Sequence, residues 1–142
     1  MIVKLEENID GSVDEVWTAL TDPKEMRKWY FDNIPDFKAE PGFKTKFKMD
    51  SGERIFTASW LVTEVLPKKK IKYTWSYDEY KGEGPVTFIL SPKGEKTLLT
   101  VINEGLESFP QDIPEFTRES CMGGWEYFIK KRLPEYFKDK KA

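Results

Sequence analysis

The chain has 142 residues, 39% hydrophobic and 15% aromatic, and its 23 basic and 25 acidic side chains leave a net charge of −2. That length suits one domain with a real core, and the balanced charge excludes a nucleic-acid surface. Histidine is absent and cysteine occurs once, as Cys121, which removes histidine catalysis, His- or Cys-ligated metal sites and any intrachain disulfide, and fits a reducing, cytoplasmic setting.

Val3, Leu5 and Ile9 alternate with Lys4, Glu6 and Asn8, which predicts a strand over Ile2–Ile9. This alternation begins too early for a signal peptide, and no apolar run approaches a membrane span. In GSVDEVWTALTDPKEMRKWYF, Ser12 and Glu15 form a capping box ahead of the stripe Val13, Val16, Trp17 and Leu20. Asp22, Pro23 and Glu25 repeat the start signal. Two short helices follow, over Val13–Leu20 and Pro23–Trp29.

From Phe37 the period falls to two. Phe43, Thr45, Phe47 and Met49 share one parity; DSG at Asp50–Gly52 turns the chain; Phe56, Ala58, Trp60 and Val62 continue. PKKK at Pro67–Lys70 turns it again before Ile71, Tyr73, Trp75 and Tyr77. YKGEG reads as a break before Val86, Phe88 and Leu90, and SPKGE as another before Leu98, Thr100 and Ile102. This is an antiparallel meander of about six strands. Gly105–Pro114 has no period and reads as a loop. A long helix then runs to about Phe137, with Pro114 in its first turn and Pro134 set to kink it or end it early.

The stripe Trp125, Phe128, Ile129 and Leu133 on that helix follows directly on Gly123 and Gly124. Each glycine weakens a helix interior by about 1 kcal/mol. Either the pair thins the helix over a cavity, or it allows close backbone packing against the sheet, the usual reason for a glycine inside an element. The predicted architecture is a single α+β domain over 1–142. A curved antiparallel sheet of about seven strands, one strand and two short helices followed by the meander, grips the long C-terminal helix.

The segments VDEVWTALTDPKEMRKW (Val13–Trp29), PGFKTKF (Pro41–Phe47), EVLPKKKIKYTW (Glu64–Trp75), VTFILSPKGEKTLLTVINEGL (Val86–Leu106) and GGWEYFIKKRL (Gly123–Leu133) together resemble the START-like helix-grip superfamily. Within it they look most like the branch related to the activator of heat-shock protein 90 ATPase. The resemblance implies an elongated cavity between sheet and helix. It also implies three functions: non-enzymatic binding of a small apolar ligand (a lipid, sterol or polyketide-like aromatic), interaction with a heat-shock chaperone in a stress response, or cyclase-like catalysis.

The aromatic surplus gives such a cavity its expected wall. Trp60, Tyr73, Trp75, Tyr77, Phe88 and Phe47 share strand parity, Trp29 and Tyr30 close the second short helix, and Trp125 and Phe128 face back from the long one. Any of these rings can equally be ordinary core. The polar tips of Tyr73, Tyr77 and Trp60 would each want a partner when buried. Glu7 shares parity with Val3, Leu5 and Ile9 and is the one weak catalytic candidate, as an inward carboxylate with a raised pKa; the alternative is a solvated strand end. Glu104 and Arg54 have the same status. Cys121, four residues before Trp125, is expected on the buried stripe as inert packing. No metal or cofactor is expected.

Overall fold

A computed structural model describes residues 1–141. The elements are β1 (Val3–Ile9), α1 (Val13–Thr21), α2 (Pro23–Trp29), β2 (Lys44–Asp50), β3 (Ile55–Leu66), β4 (Lys70–Tyr77), β5 (Tyr80–Lys93) and β6 (Lys96–Asn103), then a C-terminal helical region. The strands form one antiparallel sheet in the order β1-β6-β5-β4-β3-β2. It has six strands rather than about seven, because the meander holds five, β2 to β6, and the stretch around Phe37 is buried without forming a strand.

Local chemistry sets the first turns. Ser12 accepts from the Glu15 amide at 3.2 Å and Glu15 returns the bond to Ser12 at 2.9 Å, so both halves of the capping box are made. Asp22 ends α1 and caps α2, accepting from the Lys24 amide at 2.9 Å ahead of Pro23 at the first helical position. Alternation places Phe47, Phe56, Ala58, Trp60, Val62, Ile71, Tyr73, Val86 and Phe88 in the buried core on one face of the sheet.

Two glycine-rich stretches depart from expectation. YKGEG does not break the meander: β5 continues through it, with a shift in its register against β4 between Trp75 and Tyr77. At Gly82 (φ +117°) a Cβ would come within 2.7 Å of both the Phe109 ring and the Ser108 carbonyl, and at Gly84 within 3.0 Å of the same ring. Glycine lets the Phe109 ring lie against the strand. SPKGE likewise leaves only its last residues for the turn.

The C-terminal region is composite. Short 3₁₀ turns cover Leu106–Ser108 and Pro114–Phe116; then come α3 (Arg118–Trp125), a π-helical stretch (Glu126–Arg132) and α4 (Leu133–Lys141). Pro114 therefore sits in a 3₁₀ turn, and α3 starts at the Thr117 cap, whose hydroxyl accepts from the Ser120 amide at 3.3 Å. Pro134 does not end the helix. It lacks an N–H for the Lys130 carbonyl and its ring would press on that group. The wide turn just before it opens the backbone there, and the Leu133 amide reaches back five residues to Phe128.

Candidate functional site

The helix lies across the concave face, and the space beneath it differs along its length. At one end the segment after α2 folds in as a plug. Tyr30 stacks on Trp29 at 4.6 Å, nearly parallel, and on Trp60 at 5.3 Å. Trp29 and Trp60 have no exposed surface. The Trp29 indole donates to the Ala19 carbonyl at 2.7 Å, and the Tyr30 and Tyr73 hydroxyls meet at 2.6 Å. Burial raises both phenols well above their ordinary range, so both stay protonated. The Trp60 N–H has no hydrogen-bond partner among the described residues. Phe47 and Phe88 complete this closed region.

At the other end, between β3–β5, the turn at Pro114–Phe116 and α3, lies a half-open cavity of about 240 Å³. Eight aromatic rings line it. Tyr77 stacks on Phe116 at 5.0 Å, and Phe116 packs beside Phe56 and Phe109 at 5.4 and 5.3 Å. Trp75 meets Trp125 edge-on at 6.1 Å and Phe31 at 5.8 Å, and Phe128 closes the set. Buried Asn103 ties helix to sheet: its Oδ1 accepts from the Trp125 indole at 3.1 Å, while its amide donates to the Pro85 carbonyl at 3.2 Å.

Of the residues expected to bind ligand, Trp75, Tyr77, Trp125 and Phe128 line this cavity; Trp29, Phe47, Trp60, Tyr73 and Phe88 are packed in the closed core instead. Parity put all of them on the concave face, but the plug from Tyr30 to Phe37 fills one end of it. Gly123 and Gly124 are not packed against the sheet: a Cβ at either would touch nothing within 4 Å, and Gly124 lies on the cavity wall. Close packing is therefore the wrong account of them.

Glu7 does not reach the cavity. It lies at the rim of β1, paired with Lys130 at 3.1 Å, because an edge strand leaves an inward carboxylate within reach of a long cation from the helix. Glu104 is exposed. Arg54 holds Glu115 at 3.1 Å beside the mouth, and Ser51 donates to the same carboxylate at 2.7 Å. Cys121 is half-buried on the wall, not on the core stripe, and burial pushes its thiol up to about 11.

Tyr77 is raised mainly by burial and further by nearby Cys121 and Glu115. The Trp75 N–H lies close enough to favour the Tyr77 oxygen slightly, yet the two do not meet at hydrogen-bond geometry. Ser51 and its neighbour Arg54 draw the Glu115 carboxyl below its usual range. Among the described residues no group of three His, Cys, Asp or Glu is placed to hold a metal ion, and no helix is long and apolar enough to cross a membrane.

Beyond Phe31 and Phe56, which also line the cavity, the residues missed from sequence are the loop rings Phe109 and Phe116, with Glu115 and Asn103. A signal existed for the two rings: GLESFPQDIPEF is aperiodic, yet it sets two phenylalanines among prolines and carboxylates. Rings in a polar loop mark one that turns inward. Nothing in the sequence points to Asn103.

Many solved structures share the fold. Protein CV1439 from Chromobacterium violaceum has a TM-score of 0.79 at 22% identity, covering 94% of both chains. MLL2253 from Mesorhizobium loti has a TM-score of 0.75 at 24% identity, covering 100% of this chain and 99% of its own. DynU16, a protein in the dynemicin biosynthetic locus, has a TM-score of 0.76 at 27% identity, covering 98% of this chain but only 48% of its own. No curated protein matches the chain. The family model of the Activator of Hsp90 ATPase homolog 1-like protein matches residues 10–138. With a six-stranded sheet around a C-terminal helix and a cavity between them, the chain belongs to that family of the START-like helix-grip superfamily, a fold suited to holding a ligand.

Proposed function

We propose that the protein binds a compact apolar molecule, without turning it over, in the cavity between sheet and α3. The observation that carries this reading is a 240 Å³ space walled by eight rings. An apolar cavity of about 150 Å³ accepts benzene, and full ligand pockets begin near 300 Å³. The volume favours a small aromatic over a whole sterol or a long lipid chain. Likeness to a protein of a biosynthetic locus fits a small-molecule ligand.

The wall also favours binding over catalysis. A general base works best with a pKa near the working pH. Burial moves Tyr77 and Cys121 away from neutrality on the high side, while partners hold Glu115 low. A thermal-shift screen of small aromatics tests the reading. A ligand at a hundred times its Kd stabilises the fold by about 2.7 kcal/mol, and Cys121→Phe, which grows into the cavity from its wall, should abolish that shift while leaving a folded protein. A flat screen, or shifts undiminished in Cys121→Phe, would sink it.

The family match supports a second reading, an interaction module that stimulates the ATPase of a heat-shock chaperone. Hsp90 turnover measured with saturating protein decides it: an unchanged rate disposes of the idea.

A further inference from the structure

The polar atoms on the cavity wall have one charge sign. Asp50 and Glu115 line the cavity, whereas no lysine or arginine among the described residues does. Arg54 sits behind Glu115 and balances it, so Glu115 carries little unmet demand for a second cation. The Asp50 carboxylate is engaged with the Gly52 amide at 2.8 Å.

Two neutral donors lie on the same wall. Neither the Tyr77 hydroxyl nor the Cys121 thiol hydrogen-bonds to a described residue at good geometry. Contrast Tyr73, two same-face positions earlier in β4, whose hydroxyl is taken by Tyr30. Tyr77 therefore has a proton to give, and because its oxygen faces the half-open cavity, a bound ligand would displace the water that can reach it. The acceptor it wants is an oxygen on the ligand. If that oxygen is a hydroxyl, its own proton can turn to Glu115.

We infer that the cavity selects an uncharged aromatic of one or two rings bearing a hydroxyl or carbonyl group, and rejects the carboxylate form of the same skeleton. The inference rests on the binding reading above and narrows it to a chemical class. A ligand carboxylate would enter apolar space with no cation on the wall and two carboxylates beside it. A ligand ammonium would meet the protons of Tyr77 and Cys121 and a Glu115 already paired.

Four probes on one skeleton separate these outcomes: naphthalene, 2-naphthol, 2-naphthoate and 2-naphthylmethylammonium, titrated calorimetrically at pH 7. We expect naphthol to bind at least about tenfold tighter than naphthoate, and Tyr77→Phe to weaken naphthol about threefold to tenfold with naphthalene unchanged. Glu115→Gln, a change on the cavity wall that frees Arg54, should bring naphthoate closer to naphthol. Naphthoate or the ammonium binding as tightly as naphthol would overturn the inference. So would naphthol affinity untouched in Tyr77→Phe while naphthalene still binds, and in both cases the pocket itself stands. Failure of all four probes, naphthalene included, overturns the binding reading and the inference with it.

Discussion

The two ends of the concave face are built from the same residue types and come to opposite results. Around Trp60 the rings of Trp29, Tyr30 and Tyr73 leave no space, and the two phenol hydroxyls satisfy each other. Around Tyr77 the rings of Phe56, Phe116 and Trp125 form a wall around a void, and the hydroxyl has no partner among the described residues. What differs is the backing. The closed end is filled by a segment that follows its helix directly. The open end is covered by an aperiodic loop and by a helix that carries two glycines where side chains would otherwise hang.

The contrast can be broken most forcefully at Trp60. Trp60→Ala empties a fully packed site and should cost about 3–5 kcal/mol in urea unfolding, while Phe116→Ala, which enlarges an existing space, should cost clearly less. Equal losses would mean that the two ends are packed alike. Next, Gly82→Ala strains a left-handed backbone and collides with Phe109, so a loss of about 1–3 kcal/mol is expected. A neutral result would show that Phe109 is free to move.

Smaller effects sharpen the comparison. Tyr73→Phe strips Tyr30 of its buried partner and should cost about 1–3 kcal/mol. Tyr77→Phe removes a hydroxyl with no protein partner and should change stability by only a few tenths, roughly the scale of a surface substitution. Thermal unfolding of the pair checks this, and a larger loss at Tyr77 would reverse the assignment of the two ends. Last, Gly123→Ala and Gly124→Ala should each raise stability by about 0.5–1 kcal/mol, since open space awaits the new methyl groups. A loss at either position would restore close packing as their explanation.

Much of the fold was legible because it is periodic. The capping box at Ser12, the second start at Asp22 and the alternations from Phe43 to Leu90 are local signals, and each formed where its spacing placed it; in β6 the face turned to the core is that of Leu99 and Val101, not of Leu98, Thr100 and Ile102. The glycines were not legible, because glycine reports permission and not purpose. YKGEG looked like a break and is a strand pressed by a ring; the Gly123–Gly124 pair allowed either close packing or a helix thinned over a cavity, and Gly124 borders a void. The site was legible only as a face. Parity assigns a ring to the concave side, but whether it fills or lines depends on segments distant in sequence, here Tyr30–Phe37 and Phe109–Phe116. Glu7 failed for a similar reason: parity pointed it inward, and Lys130, more than a hundred residues on, drew it to the rim.

The wide turn ahead of Pro134 has a consequence in time as well as in shape. Regular i→i−4 bonding is interrupted there, so α3 and α4 need not open as one cooperative unit. α4 is anchored by Leu133, Tyr136 and Phe137, all buried, whereas α3 buries Trp125 alone. Amide exchange should thus be faster over residues 118–125 than over 133–141. The half that covers the cavity can breathe while the other half holds the fold, which gives a guest molecule a way in without unfolding its host.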